Sequence, residues 1–95
     1  MPFAAQDPKE YKRSGVMPLQ DGEMGVYGLY NADQWVYVGS GNIRGRLIGH
    51  LNRDNNCIGF QNPTQFVFEI TNEYEAREIA LRAELSPHCN PQQAE

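Results

Sequence analysis

The sequence predicts a small α+β domain, a mainly antiparallel three-stranded sheet flanked by helices. Two stretches rich in apolar and aromatic residues, Met24 to Tyr30 and Trp35 to Gly39, stand on either side of the turn at Asn31-Ala32-Asp33, as in a β-hairpin. A third stretch, Gln65 to Thr71, alternates Phe66, Phe68 and Ile70 with Gln65, Glu69 and Thr71, which predicts one buried face, although Val67 breaks the polar series. Two further segments carry a helical period: Ile43, Leu47 and Leu51 stand four apart, and a second helix runs from Asn72 to about Leu85. The 95 residues suffice for one modest core, and a hydrophobic fraction of 40% excludes wholesale disorder.

Residues 1–23 read as an irregular arm, punctuated by Pro8, Pro18 and the Asp21-Gly22 turn, with Phe3, Tyr11 and Val16-Met17 as the groups that would dock it; Lys9, Lys12 and Arg13 read as a solvated cluster. If the hairpin connection has an odd number of residues, Tyr27 and Tyr37 share a face of the sheet; with an even one they face opposite ways. The strand through Val36, Tyr37 and Val38 is expected to break at Gly39-Ser40-Gly41, and a helix to start with Asn42 as its N-cap. On that helix Arg46 and His50 share one flank, with Arg53 beside them. Gly45 and Gly49 cost helix stability, about 1 kcal/mol each relative to alanine, and their expected use is tight packing of the helix on the hairpin. Residues 52–64 read as a loop. Asn72 and Glu75 have capping-box spacing, and Pro87 ends the second helix with Ser86 already outside the α region.

Charge and composition exclude several function classes. No apolar run approaches a bilayer span, and the start Met-Pro-Phe-Ala-Ala-Gln-Asp lacks a secretion signal's pattern, so the expectation is a cytoplasmic protein with Cys57 and Cys89 reduced. His50, Cys57, His88 and Cys89 fit no usual zinc spacing. A net charge of -4 and a pI near 5.1 have the wrong sign for wrapping long nucleic acid. Arg44 to Arg53, however, holds three arginines and no acid, a local patch suited to a small phosphate-bearing contact.

On the second helix Tyr74, Leu81 and Leu85 form one apolar stripe and Ala76, Ile79, Ala80 and Ala83 another, with Glu78 inside the first. A carboxylate there needs a cation, a hydrogen-bond network or a cleft, because burying it ionised and unpaired costs several kcal/mol. A salt bridge to a nearby arginine would satisfy it; so would a site shared with the two tyrosines, Arg46 and His50.

The ordered set Gly25-Val26-Tyr27, Tyr37-Val38-Gly39, Asn42-Ile43, Arg46 and His50, followed by Glu78, Pro87 nine residues later and Asn90 three beyond, resembles the signature of the GIY-YIG nucleases. The resemblance spans residues 24–91 and leaves a C-terminal tail, 92–95. Glu84 competes with Glu78 but misses the spacing. The resemblance implies a metal-dependent endonuclease that hydrolyses nucleic-acid phosphodiesters. Arg46 would stabilise the negative charge that develops on the phosphate, Tyr27 would deprotonate or orient water, His50 would give a proton route and Tyr37 would orient the nucleophile or bind phosphate. Glu78 would hold Mg2+ or Mn2+, and Asn90 would secure the site. The implied partner is nucleic acid, DNA in the first place, with room for a protein that supplies specificity. The alternative is a nucleic-acid-binding or regulatory module that keeps the fold without cleaving; a third reading is a protein-interaction fold using the arm.

Overall fold

The computed structural model describes residue 3 and residues 6–32, 34–52 and 54–90. The chain forms β1 (Lys9–Glu10), α1 (Arg13–Val16), β2 (Met24–Tyr30), β3 (Trp35–Asn42), α2 (Ile43–Leu51), α3 (Asn56–Gln61), β4 (Gln65–Ile70) and α4 (Tyr74–Leu85). The strands make one antiparallel sheet in the order β1-β4-β2-β3. The α+β expectation holds, with four strands instead of three. The added strand, β1, is two residues long and is defined only by its pairing with β4, Lys9 opposite Phe66 and Glu10 opposite Gln65.

Both faces of the sheet are covered. On one face, Tyr27, Leu29 and Phe66 of the strands pack with Val16, Ile43, Leu47 and Ile58 of α1, α2 and α3. On the other, Val26, Val38 and Val67 pack with Leu81 of α4 and with Phe3, while Tyr74 and Leu85 lie against them. Val67 is therefore no defect in the β4 pattern: it marks a second buried face, and Ile70 at the strand's end is exposed. Phe3 stacks on Trp35 at a ring distance of 5.6 Å, and Tyr11 meets Phe66 edge-on. Phe3 and Val16 are core residues, so the N-terminal segment is docked onto the domain through two of the groups expected to hold it.

The hairpin connection, 31–34, is even, yet Tyr27 and Tyr37 share a face. Tyr30 pairs with Trp35 but Leu29 pairs with Tyr37, which leaves Val36 as an extra residue in β3. This bulge reverses the parity of the strand. The strand also does not break at Gly39. It runs to Asn42, with Gly39, Ser40 and Gly41 opposite Tyr27, Val26 and Gly25. Gly41 has φ +118°, which only glycine adopts without strain, and this turns the strand into the helix.

The Asn42 cap is present: its side chain accepts from Gly45 N, and α2 follows at once. Residues 56–61, expected as loop, are helical because Asn55 caps Ile58 N and Ile58 buries its side chain. The Asn72–Glu75 capping box is absent. Helix α4 starts at Tyr74 after Glu73, without a side-chain cap, and Glu73 N is instead satisfied by Thr71 Oγ1 at 3.1 Å. Ser86 lies outside the right-handed α region, as expected ahead of Pro87, and takes the left-handed conformation there, with φ +48°.

Cys57 and Cys89 are joined in a disulfide with a Cα separation of 5.6 Å, which corrects the expectation of free thiols. The two residues are 32 apart in sequence, and only the return of the chain along β3 brings them together. Among the described residues no helix is long and apolar enough to cross a membrane.

Candidate active site

The centre of the site is Tyr27, on the interior strand β2 and fully buried, whose hydroxyl lies 2.8 Å from His50 Nε2. The tyrosine reaches that position because Gly39, opposite it, has no side chain. A Cβ at Gly39 would stand 2.3 Å from the Tyr27 hydroxyl, so the second glycine of the hairpin is a space requirement. Tyr37 leans over the same place, with its ring 6.3 Å from that of Tyr27 and edge-on to His50 at 5.1 Å.

His50 projects from the last turn of α2 and is 5% exposed. Its second nitrogen, Nδ1, meets Asp54 Oδ1 at 2.8 Å. A carboxylate offers only acceptors, so Nδ1 carries the hydrogen and, in the neutral ring, Nε2 accepts from the Tyr27 hydroxyl. Arg46, one turn earlier, interacts with both phenols. Its guanidinium pKa is raised by Tyr27, through the charge that phenol would carry once ionised and through hydrogen bonding to it, with burial opposing and Tyr37 adding less.

Burial raises the Tyr27 pKa well above the ordinary tyrosine value, the neighbouring Tyr37 adds to the rise, and Arg46 offsets part of it. The side chain therefore rests as a neutral phenol at physiological pH.

Glu78 approaches from α4. Its Oε1 accepts from Ser40 Oγ at 2.5 Å and its Oε2 lies 3.4 Å from Arg82 Nη1, so the carboxylate inside the apolar stripe is paired on both oxygens. It is near enough to add to the rise in the Tyr27 pKa. Glu84, its competitor, is exposed.

Asn90 does not join the cluster. Its side-chain oxygen accepts from Val38 N at 2.8 Å and its nitrogen donates to Val38 O at 2.9 Å, copying a strand partner on the edge of β3 beside Tyr37. His88 N donates to Trp35 O and Cys89 N to Val36 O along the same edge, so residues 88–90 hold the strand that carries Tyr37 and Gly39.

Tyr27, Tyr37, Arg46 and His50, drawn from β2, β3 and α2, thus gather about one buried phenol, while Glu78 of α4 is held by Ser40 and Arg82 and reaches the phenol through its charge. Arg53, expected on the same flank, lies outside the described residues. Gly45 and Gly49 do not serve helix-to-hairpin packing. Gly45 is exposed, and a Cβ at Gly49 would stand 2.9 Å from Asp54 Oδ2. Ser40 and Asp54 are absent from the sequence-derived site. Asp54 follows His50 by four, a spacing that would have suggested a pair had the helix been taken one turn further.

A recess of about 120 Å³ borders His50 and is lined by Tyr11, Leu51, Ile58 and Pro63; it is well below the size of an ordinary ligand pocket, and the Arg46 side chain lies exposed. Among the described residues no group of three or more His, Cys, Asp or Glu side chains is gathered to hold a metal. A single carboxylate still suits Mg2+, which retains several waters and binds through one or two carboxylates together with substrate phosphates. Cys57 and Cys89, bonded to each other, cannot serve as zinc ligands. No family model, curated protein or solved structure matches the chain.

Proposed function

We propose that the chain is a GIY-YIG-type endonuclease that hydrolyses nucleic-acid phosphodiester bonds, DNA in the first place. The observation that carries this reading is the convergence of a buried phenol on β2 with an imidazole 2.8 Å from it and an arginine, both on α2, within reach of the charge of a carboxylate on α4. Arg46 binds the phosphate and stabilises the negative charge that develops on it, for which a planar and permanently charged donor is well suited. Tyr27 orients the attacking water and takes up its proton while its own moves toward His50 Nε2, which avoids a free phenolate. Tyr37 orients the nucleophile or the phosphate from the other side, and Asn90 keeps β3 in register beneath it. Glu78 is the residue that would hold Mg2+ or Mn2+, exchanging its Ser40 contact for the ion. When bound, the ion supplies charge to polarise the phosphate and stabilise the leaving oxygen.

With a net charge of -4, the isolated chain is expected to bind weakly, preferring a strand structure over a sequence, and to leave specificity to a partner protein. The bridge between Cys57 and Cys89 bears on location. Such bonds persist in oxidising compartments, so the cytoplasmic location expected from the sequence goes with an open pair and an exported one with a closed pair.

The test is cleavage of a labelled panel of single-stranded, duplex, flapped and branched DNA and RNA, with Mg2+, with Mn2+ and with chelator, comparing wild type with Glu78→Ala. Metal-dependent cutting that falls by about 100-fold or more in the variant supports the nuclease reading. The acidic balance of the chain favours the alternative of a binding module, and binding without cutting in both proteins would establish it.

A further inference from the structure

Three groups stand in one hydrogen-bonded line, Tyr27 Oη to His50 Nε2 and His50 Nδ1 to Asp54 Oδ1, each contact 2.8 Å. The line runs outward: Tyr27 is fully buried, the His50 side chain is 3% exposed and that of Asp54 is 47% exposed. Two features beyond the helix fix the carboxylate. Asp54 N donates to Gly49 O at 3.3 Å, which folds the chain back over the end of α2. The missing side chain of Gly49 leaves room for Asp54 Oδ2, which stands 2.9 Å from where a Cβ would be.

We propose that Asp54 is a positioning residue for the hydrolysis, holding His50 in the Nδ1–H tautomer so that Nε2 is free to receive the Tyr27 proton. This rests on the nuclease reading above. Without Asp54 the ring is free to carry its hydrogen on Nε2. It would then donate to the Tyr27 oxygen, occupy the lone pair that water needs and have no acceptor for the phenolic proton. With Asp54 in place the transfer balances. An O–H bond of water breaks as the oxygen bonds to phosphorus, the proton joins Tyr27 Oη, and the Tyr27 proton joins Nε2. The imidazolium so formed faces the Asp54 carboxylate. The P–O bond to the leaving oxygen breaks with its electron pair, and that oxygen takes a proton from solvent; one proton returns from the relay to solvent after turnover. Gly49 belongs to the same device as the space that admits the carboxylate.

The experiment combines steady-state cleavage with nitrogen NMR of the His50 ring in wild type, Asp54→Asn and Gly49→Ala, each checked for folding by circular dichroism. The wild-type ring is expected as the Nδ1–H tautomer. In Asp54→Asn the Nε2–H form should appear, and kcat should fall by about 100-fold or more with KM changed less than about threefold. Gly49→Ala displaces the carboxylate without altering its chemistry and is expected to move the tautomer the same way. The ring signals do not depend on turnover. A wild-type ring with its proton on Nε2 overturns the proposal even where the chain cuts DNA, and so does undiminished kcat in folded Asp54→Asn. If the chain cuts no substrate in any form, the nuclease reading fails and the catalytic role assigned to Asp54 fails with it, while the tautomer result separates that failure from an error in the relay geometry. Should Asp54→Asn not fold, the wild-type and Gly49→Ala spectra decide.

Discussion

Tyr27 and Tyr11 place two phenols where ionisation is costly. Both pKa values are raised above the ordinary 10.0, in each case first by burial; Tyr37 then adds to the rise for Tyr27 and the Asp54 charge for Tyr11. In the unfolded chain the same groups lose their protons near pH 10. Above that pH the folded state holds more protons than the unfolded one, so stability falls as pH rises. The contribution of these residues is complete below pH 10 and is lost through the alkaline range. Urea denaturation, followed from pH 8 to 11 without reductant, is expected to give a midpoint that declines above pH 10. The decline should be shallower in a Tyr11→Phe, Tyr27→Phe double variant; identical slopes would contradict the burial argument. On the nuclease reading proposed above, the same resting protonation gives His50 its place beside Tyr27, since a phenol that does not ionise by itself would act as a base only while passing its own proton on.

At the scale of elements, β3 is held by side chains as well as by strands. Asn90 satisfies both Val38 N and Val38 O. Asn90→Ala leaves a buried amide and carbonyl without partners, which is expected to cost about 2–4 kcal/mol, with Asn90→Asp intermediate because it keeps an acceptor for Val38 N but no donor for Val38 O. Equal stability of Asn90→Ala and wild type by urea titration would remove the clamp from the account. Strand β2 and helix α2 were legible in the sequence because their signals are local: a Gly-aromatic run, an Asn cap and a four-residue apolar spacing. Strand β1 was not, since its two residues owe their state to pairing with β4, far along the chain. Helix α3 is too short for a period to emerge, and its Asn and Gly content imitates a turn. Gly39 through Gly41 look like a break because glycine weakens a strand, yet the Tyr27 hydroxyl requires the space at Gly39. The common face of the two tyrosines depends on the bulge at Val36, which the loop length alone would have contradicted. Tyr27, Tyr37, Arg46 and His50 do meet, because strand alternation and helix spacing fix directions; Ser40 went unseen because its partner is set by tertiary contact, and Asp54 because it lies just past the end of the helix whose spacing pairs it with His50.

For the whole molecule, the bond between Cys57 and Cys89 ties α3 to the segment that clamps β3. A chain of 95 residues folds with a net stability of about 5–14 kcal/mol. Closing a loop whose ends are 32 residues apart removes entropy from the unfolded chain equivalent to about 3–4 kcal/mol. Reduction therefore takes away a large share of what holds the domain together. It does so at a specific place, because Cys89 stands between His88 and Asn90, and all three are bonded to β3. The expected result of adding reductant, or of a Cys57→Ser, Cys89→Ser double variant, is a melting temperature lower by about 15 °C or more. Amide exchange should accelerate first around residues 36–38, where the segment is fastened, before the pairs between β2 and β4 open. Alkylation and mass measurement of the unreduced protein supply the control. Two modified thiols, together with a melting temperature indifferent to reductant, would show that the bond neither forms nor matters. A bond that forms, with exchange rising uniformly on reduction, would show instead that it stabilises the domain as a whole and that β3 does not depend on it in particular.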